Sequence, residues 1–116
     1  MFMDWVYVEK EHVLKVVENV YQLFQSQSNW IDYPIAANDL LQEMGCLDSN
    51  ATKWNLLGAI DKESHKLYPE LAQYVACATR DFLNTCYKDN LLWKSYPSYS
   101  EEIKVLKNAL KKLIKN

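Results

Sequence analysis

The stretch Ala51-Thr52-Lys53-Trp54-Asn55-Leu56-Leu57-Gly58-Ala59-Ile60 decides how the chain is read. Its composition is that of a helix, yet it holds Gly58, one of only two glycines present, and an interior glycine costs a helix about 1 kcal/mol relative to alanine. Something has to offset that cost. In a helix Ala51, Trp54 and Gly58 share one face. This spacing predicts that another backbone lies close over the glycine while the indole fills the space beside it. Ala51, Trp54 and Gly58 thus mark a packing centre, not a chemistry.

Outward from this centre the chain reads as helix. Val13, Val16, Val17, Val20, Tyr21 and Phe24 recur at steps of three and four and predict a first helix over 9–27. Valine is a modest helix former, so burial against neighbours must hold this segment. Residues 26–34 read as a polar and aromatic loop, and Asn38 and Gly45 bracket a short helix over 38–44. The 51–60 helix fades in the charged stretch 61–66. Pro69 suits the first turn of the next helix, which carries Leu71, Tyr74, Val75, Ala78, Phe82 and Cys86 on its buried side to about Tyr87. A second aromatic loop covers 89–99. The last helix opens on the capping box Ser98-x-x-Glu101 and buries Ile103, Leu106, Leu110, Leu113 and Ile114. Its lysines gather in the later turns, where the helix dipole favours cations. Phe2, Trp5, Val6 and Val8 are too few to classify.

The expectation is an all-α protein: a single compact domain over 1–116, built from four main helices and one short helix, with two long aromatic loops. At 116 residues and 49% hydrophobic positions the chain has material for one core. With only two Gly and three Pro it lacks the turn residues of a many-stranded sandwich. It holds no apolar run near the roughly 20 residues of a membrane span, and its first residues lack the basic region of a signal peptide. Cys46, Cys77 and Cys86 are odd in number and without C-x-x-C spacing, which predicts reduced thiols and a cytoplasmic location.

The order of features resembles a family of short bacterial and phage proteins catalogued as a domain of unknown function. A helix leads to Trp30, then to Ala51-x-x-Trp54-x-Leu56-x-Gly58-Ala59-Ile60, a further helix ending near Asp89-Asn90, and a closing Glu-Glu-Ile-x-x-Leu-x-x-Ala-Leu from Glu101 to Leu110. The resemblance spans about residues 13–114, and the chain lacks the glycine expected soon after the first tryptophan. It implies a bacterial or mobile-element origin and a helical fold, and it carries no activity.

Charge is unevenly spread. Residues 1–50 carry eight acids against two lysines, 51–93 balance, and 94–116 carry six lysines against two glutamates. Packing of the first helix beside the last would satisfy this within the fold. A single arginine, a net charge of −2 and the lack of a Gly-rich turn argue against nucleic acid as a partner, leaving the Lys-rich last helix as the one surface suited to it.

No metal set or nucleophile constellation stands out, and no cofactor is expected. Asp61 and His65, four apart, form an oriented pair or an ordinary link at a helix end. Arg80 beside Asp81 reads as an ion-pair partner or an anion clamp. Cys77 and Cys86, nine apart, lie on opposite sides of a straight helix. The strongest lead is aromatic: Trp30 and Tyr33 before Pro34, and Trp93, Tyr96 and Tyr99 around Pro97. Such loops serve either as lids over a small core or as low-entropy anchors for a protein partner.

The expected function is a small non-catalytic protein-binding module, encoded by a phage or mobile element, that inhibits or adapts a host or defence protein. A small-ligand binder or enzyme is the alternative, with a pocket between the aromatic loops formed by Asp89, Asn90, Arg80 or His65. Self-association stays open.

Overall fold

The computed structural model describes residues 8–87 and 98–115. Helix α1, Lys10–Leu23, forms because Val13, Val16, Val17 and Val20 make one buried stripe. Its start is fixed by Glu9, whose N–H donates to His12 Nδ1 at 3.0 Å, and the His12 ring stands edge-on to Tyr68. The helix stops at Leu23 and not at residue 27. Phe24 caps it and is fully buried, while the polar residues beyond supply no apolar face and form one 3-10 turn, Gln27–Asn29.

The all-α expectation needs correction in the next segment. Strand β1, Ala36–Ala37, pairs antiparallel with β2, Lys53–Trp54, in the register Ala36 to Trp54 and Ala37 to Lys53. Isolated bridges add Trp30 beside Trp54 and Glu43 beside Ala37. The short helix expected over 38–44 is therefore not formed; the chain turns back on itself there. Residues 51–55 are likewise not helical. Helix α2 begins at Leu56, capped by the Asn55 side chain, which accepts from Gly58 N–H at 2.8 Å.

From that cap α2 runs through the charged stretch to Leu67. Glu63 and Ser64 face inward, and Glu63 is held by Asn19 Nδ2 at 3.1 Å and Lys62 Nζ at 3.0 Å. Pro69 lies in the turn before helix α3, Ala72–Cys86, and not in its first turn. Helix α4, Tyr99–Ile114, starts as the sequence requires. Ser98 Oγ accepts from Glu101 N–H and Glu101 Oε1 accepts from Ser98 N–H.

The four helices share one core. Helix α1 packs on α2, α3 and α4, α2 packs on α3, and α3 packs on α4. Val16, Val20, Phe24, Ile60, Val75, Leu83 and Leu106 are fully buried at its centre. Ala36, Ala51 and Trp54 join the same cluster, so the strand pair closes one side of the bundle.

Another backbone does lie close over Gly58, while Ala51 and Trp54 share no helical face with it. A Cβ on Gly58 would stand 2.2 Å from the carbonyl oxygen of Ile35, and that oxygen also accepts from Asn55 N–H at 3.0 Å. The chain entering β1 thus lies directly on the first turn of α2, and only glycine leaves room for it. Ala51 and Trp54 are buried in the same core cluster, Trp54 from β2 and Ala51 from the chain just before it, and not from a helical face. The Trp54 indole N–H donates to Cys46 O at 3.0 Å, and Lys62 Nζ sits 5.0 Å from its ring centre.

Candidate functional site

Residues 30–55 form an arm between α1 and α2, and its outer end is a tight turn built around Asn38. Asn38 Oδ1 accepts from Leu40 N–H at 3.0 Å and from Gln42 N–H at 2.9 Å. Asn38 Nδ2 donates to Gln42 Oε1 at 2.8 Å. Backbone bonds from Leu41 N to Asn38 O and from Asn38 N to Gln42 O close the turn. Thr52 Oγ1 donates to Asp39 Oδ1 at 2.7 Å and ties the turn to the chain before β2. An asparagine that satisfies backbone N–H groups two and four residues on makes a tight turn as readily as it caps a helix.

This turn presents two leucines to solvent. Leu40 is 78% exposed and Leu41 64% exposed, and Leu41 adopts φ 64°, the only positive φ among the described non-glycine residues. A left-handed backbone costs a β-carbon residue about 1–2 kcal/mol. Asparagine or glycine would sit there at less cost, and the exposed leucine gains no burial in return. Tyr33 and Ile35, also exposed, lie on the same arm.

At its root the arm is fastened to α4. Trp30 is half-buried, and its indole N–H donates to Glu102 Oε1 at 2.9 Å. Tyr99 stands edge-on to Trp30, ring centres 5.7 Å apart, and its hydroxyl donates to Phe24 O. Burial pushes the Glu102 carboxyl up to about 7, and the nearby charges of Asp32 and Glu101 push the same way against the lowering effect of the indole hydrogen bond. Beside it, burial and then the charge of Glu102 raise the Tyr87 phenol. Among the described residues the buried Tyr87 hydroxyl and Asn84 Oδ1 have no hydrogen-bond partner.

Of the aromatics nominated from sequence, Trp30 and Tyr99 therefore meet each other and form an internal strut, whereas Tyr33 is the one that faces out. Trp93 and Tyr96, like Asp89 and Asn90, lie outside the described residues. Leu40 and Leu41 were missed because they fell within the expected 38–44 helix. Glu102 was missed because it sits beside the capping Glu101 and reads as another exposed acid of the first turn.

The polar candidates have structural partners. His65 Nδ1 contacts the backbone oxygen of Asp61 at 2.9 Å, while the Asp61 carboxylate pairs with Arg80 at 3.2 Å. Cys46, Cys77 and Cys86 are unbridged, and burial raises the Cys46 thiol. Among the described residues no cluster of His, Cys, Asp or Glu is arranged to hold a metal, and no helix is long and apolar enough to cross a membrane. An open cleft of about 430 Å³ lies beside the arm, lined by Cys46, Leu47, Trp54, Lys62, His65 and Lys66 among others. Several of its polar groups are already engaged: Lys62 by Glu63, His65 by Asp61, and Asp48 by Asn50 N–H.

No protein-family model, curated protein or solved structure matches the chain.

Proposed function

We propose that this chain is a small non-catalytic protein-binding module that engages its partner through the tip of the arm. The observation that carries this reading is Leu41, an exposed apolar residue in a left-handed conformation. A strained residue that adds nothing to the core points to a role outside the fold, and the hydrogen bonds from Asn38 hold the tip in shape before any partner arrives, which lowers the entropy cost of binding. Tyr33 and Ile35 extend the same surface. Trp30 and Tyr99 fasten the root of the arm, and Trp93 and Tyr96 remain proposed contributors from the second loop.

A phage or mobile-element origin, and a role in inhibiting or adapting a host or defence protein, are proposed on the Ala51-x-x-Trp54 resemblance and on chain length. A small-ligand site draws less support, because the open cleft offers few unengaged polar groups to orient a ligand. Capture from a bacterial lysate, comparing the wild-type chain with Leu40→Ser/Leu41→Gly, tests the reading. A protein retained by the wild type and lost by the variant is expected. Identical captures by both would count against the arm, and loss only with Trp93→Ala/Tyr96→Ala would move the surface to the second loop.

A further inference from the structure

Resting on the protein-binding reading, we infer that the partner of the arm is a different protein whose docking site is an apolar cleft bordered by lysine or arginine. The chain has no Lys, Arg or His from residue 16 to residue 52. Along the arm the exposed acids Asp32, Asp39 and Glu43 alternate with the exposed apolar residues Tyr33, Ile35, Leu40 and Leu41. Among the described residues the ion pairs are Lys62 with Glu63 and Arg80 with Asp61, and neither uses an acid of the arm.

The acids next to the leucines decide the partner. Seating Leu40 and Leu41 in an uncharged cleft would strip water from Asp39 and Glu43 with no cation in exchange. Cations at the rim of the cleft remove that penalty, speed encounter and reject acidic competitors. Membrane surfaces rich in anionic lipid and nucleic acid are excluded by the same charges.

A second copy of the chain supplies only half of what is needed. The exposed face of α4 carries Lys104, Lys107, Lys111, Lys112 and Lys115, but Ile114 is its only large exposed hydrophobic residue. That face matches the acids of the arm and leaves its apolar residues uncovered. Helix α1 does not neutralise it either. The two helices pack side by side as the charge distribution suggested, yet no ion pair joins them among the described residues.

The test uses the full chain as bait for a displayed library of random peptides of about 16 residues, long enough for a helix or strand to fill a groove. Recovered peptides are synthesised and titrated at low and moderate salt against the wild type, Leu40→Ser/Leu41→Gly and Asp39→Asn/Glu43→Gln, with melting curves to confirm that each variant is folded. Peptides mixing Lys or Arg with apolar residues are expected. Their affinity should fall about tenfold or more with the leucine variant and several-fold with the amide variant or added salt.

Peptides that need the leucines but carry no cationic excess, or that bind the amide variant equally well, would overturn the inferred partner and leave the protein-binding reading standing. Peptides indifferent to the leucine variant would overturn both. An empty selection would also reject the inferred partner. So would sedimentation showing self-association of the wild type that the leucine variant abolishes, since a second copy would then be the occupant.

Discussion

The helical bundle and the arm that crosses it solve the same problem by different means. Helices α1 to α4 are held by apolar stripes at helical spacing, so the place of each is shared among several buried side chains. The arm has almost no stripe. Its strands are two residues each, and beyond the burial of Ala36, Ala37, Ala51 and Trp54 it rests on individual contacts: Ile35 on Gly58, the Trp30 link to Glu102 and, within its tip, the hydrogen bonds of Asn38. A segment that rests on individual contacts is sensitive to single substitutions at those points, and its outer end is left free of any duty to the core.

The sharpest way to break that contrast is at Gly58. A side chain there meets a backbone carbonyl that cannot rotate away, so Gly58→Ala should destabilise by about 2–3 kcal/mol although alanine is the better helix former. Gly58→Leu should cost more. Chemical denaturation checks this, and an unchanged midpoint for Gly58→Ala would show that the arm does not rest on α2.

Glu102 gives the second test. Its folded value of about 7 stands above the ordinary 4.5, so between those limits the native state keeps a proton that the unfolded chain has released. Stability should be greatest at or below pH 4.5 for this group, fall by on the order of 3 kcal/mol as pH rises to about 7, and level off above that. Glu102→Gln keeps an acceptor for the Trp30 indole and cannot ionise. It should flatten this slope and exceed the wild type in stability at pH 8. A slope unchanged in the variant would assign the titration to another group.

Asn38→Ala should cost about 1–2 kcal/mol, because the backbone N–H groups of Leu40 and Gln42 lose their acceptor. Protection of those two amides should fall in hydrogen exchange while the core of α1 stays protected. Equal loss across the bundle would mean that arm and bundle unfold as one unit.

How much of this the sequence discloses follows the same division. The Val13 to Val20 stripe, the Ser98 capping box and the demand for a close neighbour at Gly58 are legible because periodicity and glycine each have one physical reading. Ala36 and Ala37 are illegible as a strand, since alanine has little preference for strands and pairing with Lys53 and Trp54 across the intervening turn decides their conformation. Asn38 suggests a helix cap for good reason: it does accept backbone N–H bonds, but a turn uses them in the same way, and seven residues are too few for a hydrophobic period to choose between the two. Trp30 gives no sign that it anchors to Glu102, 72 residues away, because such a contact exists only once the fold brings α1 and α4 together.

The smallest expected effect bears on the central claim, that the tip of the arm is shaped for contact outside the fold. Leu40→Ser/Leu41→Gly removes two exposed apolar side chains and relieves the left-handed strain at Leu41. Because glycine also adds freedom to the unfolded chain, the unfolding free energy by chemical denaturation should stay within about 0.5 kcal/mol of the wild type or rise slightly. A loss of about 2 kcal/mol or more would show that the two leucines belong to the core, and the arm would then be a structural cover with no surface to offer a partner.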